Sequence, residues 1–256
     1  MSSLPAGISH DALADLLLAL ADDELVLGYW DSEWTGIAPL LEEDVAMSSM
    51  AQDEIGHALA YYSLLAPHSG IDPDAYAFGR TPPEYRFARL LGHARTDWGF
   101  TIARRYLYET ADAVRLESLS RSAWPELAGL TAKMRREEAY HLLHLETWFT
   151  TFMSAAPSAA ERFRANLAQL WPDALDLFAP LPGEDELLRC GILPEPMSTL
   201  GARWEATVRP RLEAASVAVP LNSATLPPRS GGQHPDFSWL WNEMTMVYRL
   251  ELGAVW

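Results

Sequence analysis

Two pentapeptides, Asp53-Glu54-Ile55-Gly56-His57 and Glu137-Glu138-Ala139-Tyr140-His141, constrain this chain more than anything else in it. Each is an acidic residue followed by Glu-x-x-His. Positions i and i+3 of a helix share a face, so each Glu and its His address one centre. A single Glu-x-x-His is weak evidence in a chain with 20 Glu and 7 His. The order around the two motifs is the stronger signal. Glu24 precedes Glu54 by 30 residues and Glu109 precedes Glu138 by 29. Either interval fits one helix, a turn and the antiparallel return.

The residues around these carboxylates are apolar at helical spacing. Leu17, Leu20 and Leu27 share a stripe with Glu24, and Met50 and Tyr61 flank Glu54 and His57. Ile102, Ala113 and Leu116 flank Glu109, while Met134, Leu145 and Trp148 flank Glu138 and His141. The alternative, solvated charges on helix faces, is the common fate of Glu. It fits these stripes poorly, because a core-facing carboxylate is costly unless it is paired or metal-bound. A Glu-x-x-His on each of two helices, with one Glu from each of two others, is the ligand pattern of ferritin-like bundles that hold two metal ions. Glu24, Glu54 and His57 are therefore assigned to one metal, and Glu109, Glu138 and His141 to the other. Glu54 and Glu138 are the bridging candidates. Carboxylate and imidazole donors suit two Fe ions, or a Mn/Fe pair. Four carboxylates also balance the charge of two divalent ions.

A metal-bound imidazole commonly donates its second N–H to a carboxylate, which fixes its tautomer. Asp53 and Glu137 are candidates for that outer role, paired across the bundle as Asp53 with His141 and Glu137 with His57. The competing reading is a surface Asp and a surface Glu. Asp112, one turn from Glu109, is a weaker candidate for the same role. His144 reads as a polar neighbour of the site, and His10, His68, His93 and His234 as structural or solvent-exposed. No catalytic residue is assigned beyond the metal ligands.

The rest of the chain reads as all-α, since no alternating strand pattern of useful length occurs. Residues 10–31 form a first expected helix, broken by Thr35 to Pro39. Residues 40–66 form a second, stopped by Pro67, and a linker rich in Pro, Gly and Asp runs from His68 to Pro83. A long helical stretch over 84–121, kinked near Gly92 or Gly99, and a fourth helix from Pro125 to about 154 follow. The expectation is a single ferritin-like domain over 1–256, with its four-helix core at about 10–154. Further helices at about 158–178, 197–217 and 236–250 pack against it or against a partner. Pro220 to Pro235, with Asn222, Ser223, Pro227, Pro228, Ser230, Gly231 and Gly232, reads as a loop.

Composition narrows the function classes. The formal charge of −16, without a basic cluster, argues against nucleic acid. A single cysteine, Cys190, excludes an intrachain disulfide and thiolate-rich zinc sites, and reads as a small buried residue. The apolar stretch Leu13 to Leu27 is interrupted by Asp15, Asp22, Asp23 and Glu24, unlike a membrane span. With no basic-then-apolar start, a cytoplasmic protein is expected. No Gly-rich fingerprint is visible, so no nucleotide is expected on this chain.

These residues together resemble a known family. Asp23-Glu24-Leu25-Val26-Leu27-Gly28, Glu33-Trp34 and Ala38-Pro39 look like the first helix and turn of the phenylacetic acid catabolic proteins. These are ferritin-like subunits of the bacterial multicomponent phenylacetyl-CoA ring 1,2-epoxidase. Gln52 to His57 looks like the family's second-helix motif. Thr101-Ile102-Ala103-Arg104 with Tyr106, Trp204-Glu205-Ala206, Glu243-Met244 and Trp256 are similar to the C-type subunit, and the chain length fits it better than the longer A-type. Familiar C-type members have lost several ligands and act as scaffolds, whereas this sequence keeps Glu24, Glu54, His57, Glu109, Glu138 and His141. The resemblance implies a monooxygenase subunit of phenylacetate catabolism that adds one oxygen atom across the ring of a CoA thioester. It also implies an oligomer with a homologous larger catalytic-type subunit, and a separate reductase supplying electrons from NADPH. Two other readings stay open: a non-catalytic scaffold of the same complex, or a different ferritin-like di-metal oxidase. Arg104, Arg105 and Arg136 are open between phosphate contacts and pairing with the acidic surface.

Overall fold

A computed structural model describes residues 4, 7–220, 226 and 228–251. Trp256, and Asn222, Ser223 and Pro227 of the expected loop, lie outside the described residues. The described chain is all-α, as expected. Its helices are α1 (His10–Ser32), α2 (Leu41–Ser69), α3 (Pro73–Phe78), α4 (Trp98–Leu119), α5 (Pro125–Met153), α6 (Pro157–Ala174), α7 (Glu184–Arg189), α8 (Met197–Ala214) and α9 (Phe237–Leu250). Short 3-10 turns occur at Pro82–Glu84, Arg89–Leu91, Leu175–Phe178 and Gly231–Gln233. The chain divides into two compact units, Leu13–Ala94 with Arg229–Trp256, and Met1–Ala12 with Arg95–Pro228.

In the first unit, α1 is buried on nearly every side from Ala12 to Gly28. A helix covered on nearly every side has little solvent face to keep, which matches its run of Leu and Ala but leaves Asp15, Asp22, Asp23 and Glu24 buried. α2 places Glu42, Glu43 and Asp44 in its first turn, where they meet the positive end of the helix dipole. It does not stop at Pro67, as the sequence suggested. It runs to Ser69 and closes on Gly70, whose φ of 72° lets its N–H donate to the Ala66 carbonyl. A proline in the last turn forfeits one backbone bond, and a left-handed glycine then ends the helix. α1 and α2 approach closely at Gly28. A Cβ there would lie 2.9 Å from Ile55 Cγ1, 3.0 Å from the Ala51 carbonyl oxygen and 3.1 Å from Glu54 Cβ.

The helical stretch expected over 84–121 begins later than expected. Residues 84–97 are mostly irregular, and α4 starts only at Trp98. The physical reason lies in the backbone donors. Arg86 N–H donates to Asp22 at 2.6 Å and Ala88 N–H to Asp23 at 2.8 Å, so side chains of α1 take the bonds a helix would need. Asp97 then caps α4 by accepting from Phe100 N–H at 2.9 Å.

In the second unit α4 is the central helix, with α5, α6 and α8 packed on it. The short connection between α4 and α5 makes them an antiparallel pair. Trp204 of α8 donates to Thr110 Oγ1 at 2.9 Å and stacks on Trp171 at 4.8 Å between ring centroids. Phe163 of α6 packs on Phe149 and Phe152 of α5. The expected helices at about 158–178 and 197–217 therefore pack on the α4–α5 pair, and α9 packs on α3 within the first unit. The short helices α3, inside the expected linker from His68 to Pro83, and α7 were not anticipated. Cys190, just after α7, is half-buried rather than buried.

Candidate metal centre

Each unit holds one of the two predicted ligand triads. In the first, α1 carries Glu24 and α2 carries Glu54 and His57. Their relative exposures are 1%, 0% and 4%. His57 turns Nδ1 towards both carboxylates, 3.8 Å from Glu24 Oε2 and 3.8 Å from Glu54 Oε2. One donor atom from each of the three lies within 4.8 Å of the others. Gly28 makes this possible: one turn beyond Glu24, it lets α1 sit against the turn of α2 that bears Glu54.

The acids beside Glu24 are buried too, and each has a cation from another segment of the same unit. Asp22 receives Arg80 Nη1 at 2.9 Å, Tyr62 Oη at 2.6 Å and the Arg86 N–H. Asp23 receives Arg229 Nη1 at 2.8 Å and the Ala88 N–H. Asp15 pairs with Arg86. Burial pushes the Tyr62 phenol well above its usual range and the Asp22 carboxylate adds to the rise, so Tyr62 stays a donor. For Arg80, burial alone lowers the value, but Asp22 more than restores it and the guanidinium stays charged. These contacts fix the rotation of α1, and with it the direction of Glu24.

In the second unit, α4 carries Glu109 and α5 carries Glu138 and His141, with exposures of 1%, 5% and 1%. His141 Nδ1 lies 3.2 Å from Glu138 Oε2 and 3.8 Å from Glu109 Oε1. Here too one donor atom from each lies within 4.8 Å of the others. An arginine of the same helix stands on this triad. Arg105, fully buried and one turn before Glu109 on α4, pairs with Glu109 Oε1 through Nη2, which also lies 3.5 Å from His141 Nδ1.

The outer candidates fall differently. Asp112 is buried and accepts from Arg115 Nε at 3.0 Å and Nη2 at 2.7 Å, with that guanidinium 5.3 Å from the centre of the Tyr108 ring. Asp53 is half-buried on α2. Glu137 is half-buried and pairs with Lys133 at 2.9 Å, one turn earlier on α5. His144 is half-buried, and the rings of His93 and His234 meet edge to face at 4.6 Å. Arg104 and Arg105 are both fully buried, so neither belongs to a phosphate-binding surface; Arg136 is exposed.

Sequence reading missed Arg105 as a partner of Glu109, although its spacing of four on a helix was a usable signal. It also missed Tyr62, Arg80 and Arg229 as partners of Asp22 and Asp23. Arg229 is 206 residues from Asp23, and no local pattern announces such a pair.

The donor set suits a metal. In each unit two carboxylates and one imidazole converge in a dry core, a charge and donor balance that fits one divalent ion of the iron or manganese kind. Burial without such a partner, or an equivalent cation, would be costly. Among the described residues the fold is all-helical, and a buried Glu, Glu, His triad on each of two helix pairs is a donor set that could hold a metal ion. The sequence matches the model of the phenylacetic acid catabolic protein family over residues 5–256, and the chain belongs to that family. It is similar to the C-type subunit of 1,2-phenylacetyl-CoA epoxidase from Escherichia coli (strain K12), at 29% identity over 241 residues. That match covers 93% of this chain and 97% of the relative. Among the described residues no helix is long and apolar enough to cross a membrane.

Proposed function

We propose that this chain is a subunit of a multicomponent monooxygenase that epoxidises the aromatic ring of phenylacetyl-CoA, and that its two triads bind iron, one ion each. The observation that carries the metal reading is the convergence of three buried donors within 4.8 Å in each unit. Family membership over nearly the whole chain, and the name of the similar epoxidase component, support the substrate class. Bound iron would supply the activation of dioxygen.

The chain's own residues do the rest. Glu24 with Glu54, and Glu109 with Glu138, would set two negative charges against each ion, and His57 and His141 would each add an imidazole donor. The buried helices around them exclude water. Asp22, Asp23, Arg80 and Arg229 hold α1 in register, so that Glu24 meets Glu54 and His57. Electrons come from a separate reductase, and a larger homologue of this chain is the other member of the complex. Asp53 and Glu137 are the outer carboxylates of this reading.

A second reading is a scaffold of the same complex that binds no metal, and the pairing of Arg105 with Glu109 favours it. Anaerobic titration with ferrous iron separates the two. One or more irons held per chain, and lost in the double variant Glu54→Ala, Glu138→Ala, is expected. A wild-type chain that holds none under these conditions is the scaffold.

A further inference from the structure

We propose that Arg105 is a built-in counter-cation of the second triad, and that its pairing with Glu109 and metal binding by Glu109, Glu138 and His141 exclude one another. The inference rests on reading the triads as metal sites.

Three observations carry it. Arg105 is fully buried, so its guanidinium has no access to bulk water and must be neutralised inside the protein. It pairs with the ligand Glu109 itself. Its Nη2 also stands 3.5 Å from Nδ1 of His141, the nitrogen that faces the carboxylates. An ion bonded to both Glu109 Oε1 and His141 Nδ1, which lie 3.8 Å apart, would sit between them. Arg105 Nη2 approaches the same two atoms, pairing with the first and standing 3.5 Å from the second. A guanidinium nitrogen and a divalent ion in contact would repel strongly in a core of low dielectric. For the triad to take an ion, Arg105 must leave Glu109 and find another position.

Arg115 shows what the alternative looks like. It is equally buried on the same helix, but it pairs with Asp112, outside the triad. Arg105 therefore sets the occupancy of the second triad, not merely the charge balance of α4. An arginine stays charged at any accessible pH, so loss of its own proton does not release Arg105. Movement of the side chain does.

The test measures Mn(II) binding by electron paramagnetic resonance in the full-length chain, with His57→Ala silencing the first triad. In that background, Arg105→Gln is expected to raise the Mn(II) affinity of the second triad at least tenfold. Arg105→Lys, which keeps the charge, should leave it low. Thermal melting with and without Mn(II) accompanies each titration: a bound ion raises the melting temperature, and an unfolded variant shows no transition. Equal or weaker binding in Arg105→Gln than in the parent overturns the inference, while the metal reading survives because an ion is bound. If neither wild type nor any of these variants binds Mn(II) or ferrous iron, the metal reading falls and the inference falls with it.

Discussion

The two triads share a sequence order and differ in where their cations stand. Around Glu24, Glu54 and His57 the arginines come from outside the helix that needs them. Arg80 and Arg229 reach α1 from the irregular segments after α3 and before α9, and they pair with Asp22 and Asp23, the neighbours of Glu24. Around Glu109, Glu138 and His141 the cation lies on the same helix, four residues away, and it takes the ligand. The first arrangement neutralises the neighbours of a ligand and fixes its direction. The second neutralises the ligand itself. The same pattern of donors is thus approached by arginines in two ways, through the neighbours of a carboxylate or through the carboxylate itself.

The largest effect is expected from removing the remote cations. Arg80→Ala leaves the buried Asp22 short of its guanidinium, and loss of one partner of a buried pair costs about 3–5 kcal/mol. Urea denaturation reads this directly; a loss below about 1 kcal/mol, the range of surface pairs, would mean that the clamp on α1 is not structural. Asp112→Ala, which strips Arg115 of its local carboxylate, should cost somewhat less, about 2–4 kcal/mol, because the guanidinium keeps its contact with Tyr108. If it cost more than Arg80→Ala, the contrast between remote and local cations would be reversed.

A smaller effect tests the helix approach. Gly28→Ala adds a Cβ that meets backbone and side chain of α2 at 2.9–3.1 Å. Overpacking of this kind costs about 1–3 kcal/mol, partly offset by about 1 kcal/mol of helix propensity. The same variant should weaken metal binding by the first triad, because Glu54 carries one of the atoms displaced. Unchanged stability and unchanged binding would show that α1 and α2 can part without consequence.

The pH dependence has a definite sign. Burial, with the Asp22 carboxylate adding to it, raises the Tyr62 phenol, and burial raises Tyr85 and Tyr106 as well. Below the ordinary tyrosine value of 10.0 these phenols are protonated in both folded and unfolded chains. Above it the unfolded chain ionises first and releases protons, so stability falls as pH rises towards the folded values. Melting curves between pH 8 and 11 should show that fall, and Tyr62→Phe should make it shallower. The least effect is expected from Lys133→Ala. Its pair with Glu137 lies at the surface and is worth about 0.3–0.5 kcal/mol. A larger loss would mean that Glu137 is held for a purpose, as its outer role towards a ligand requires.

The sequence by itself determined the helices that carry the candidate ligands. The recurrence of Glu and His at i and i+3, on stripes of Leu, Met, Ile and Tyr, is a local property of a helix. It specified all six candidate ligands, and the structure gathers each set of three into a buried cluster. Where the sequence failed, the reason was long-range. Residues 84–97 look helical, but the amides of Arg86 and Ala88 are taken by Asp22 and Asp23 of α1, more than sixty residues earlier. Gly231 and Gly232 read as loop formers, yet the backbone at Phe87 and Pro82 lies so close that a Cβ at either would collide with it. Arg80 and Arg229 had no neighbours in the sequence to betray their partners. The side chain that fills the second triad was four residues from its ligand and still needed the tertiary structure. Spacing places Arg105 beside Glu109, but only the packed core removes the water that would otherwise have kept them apart.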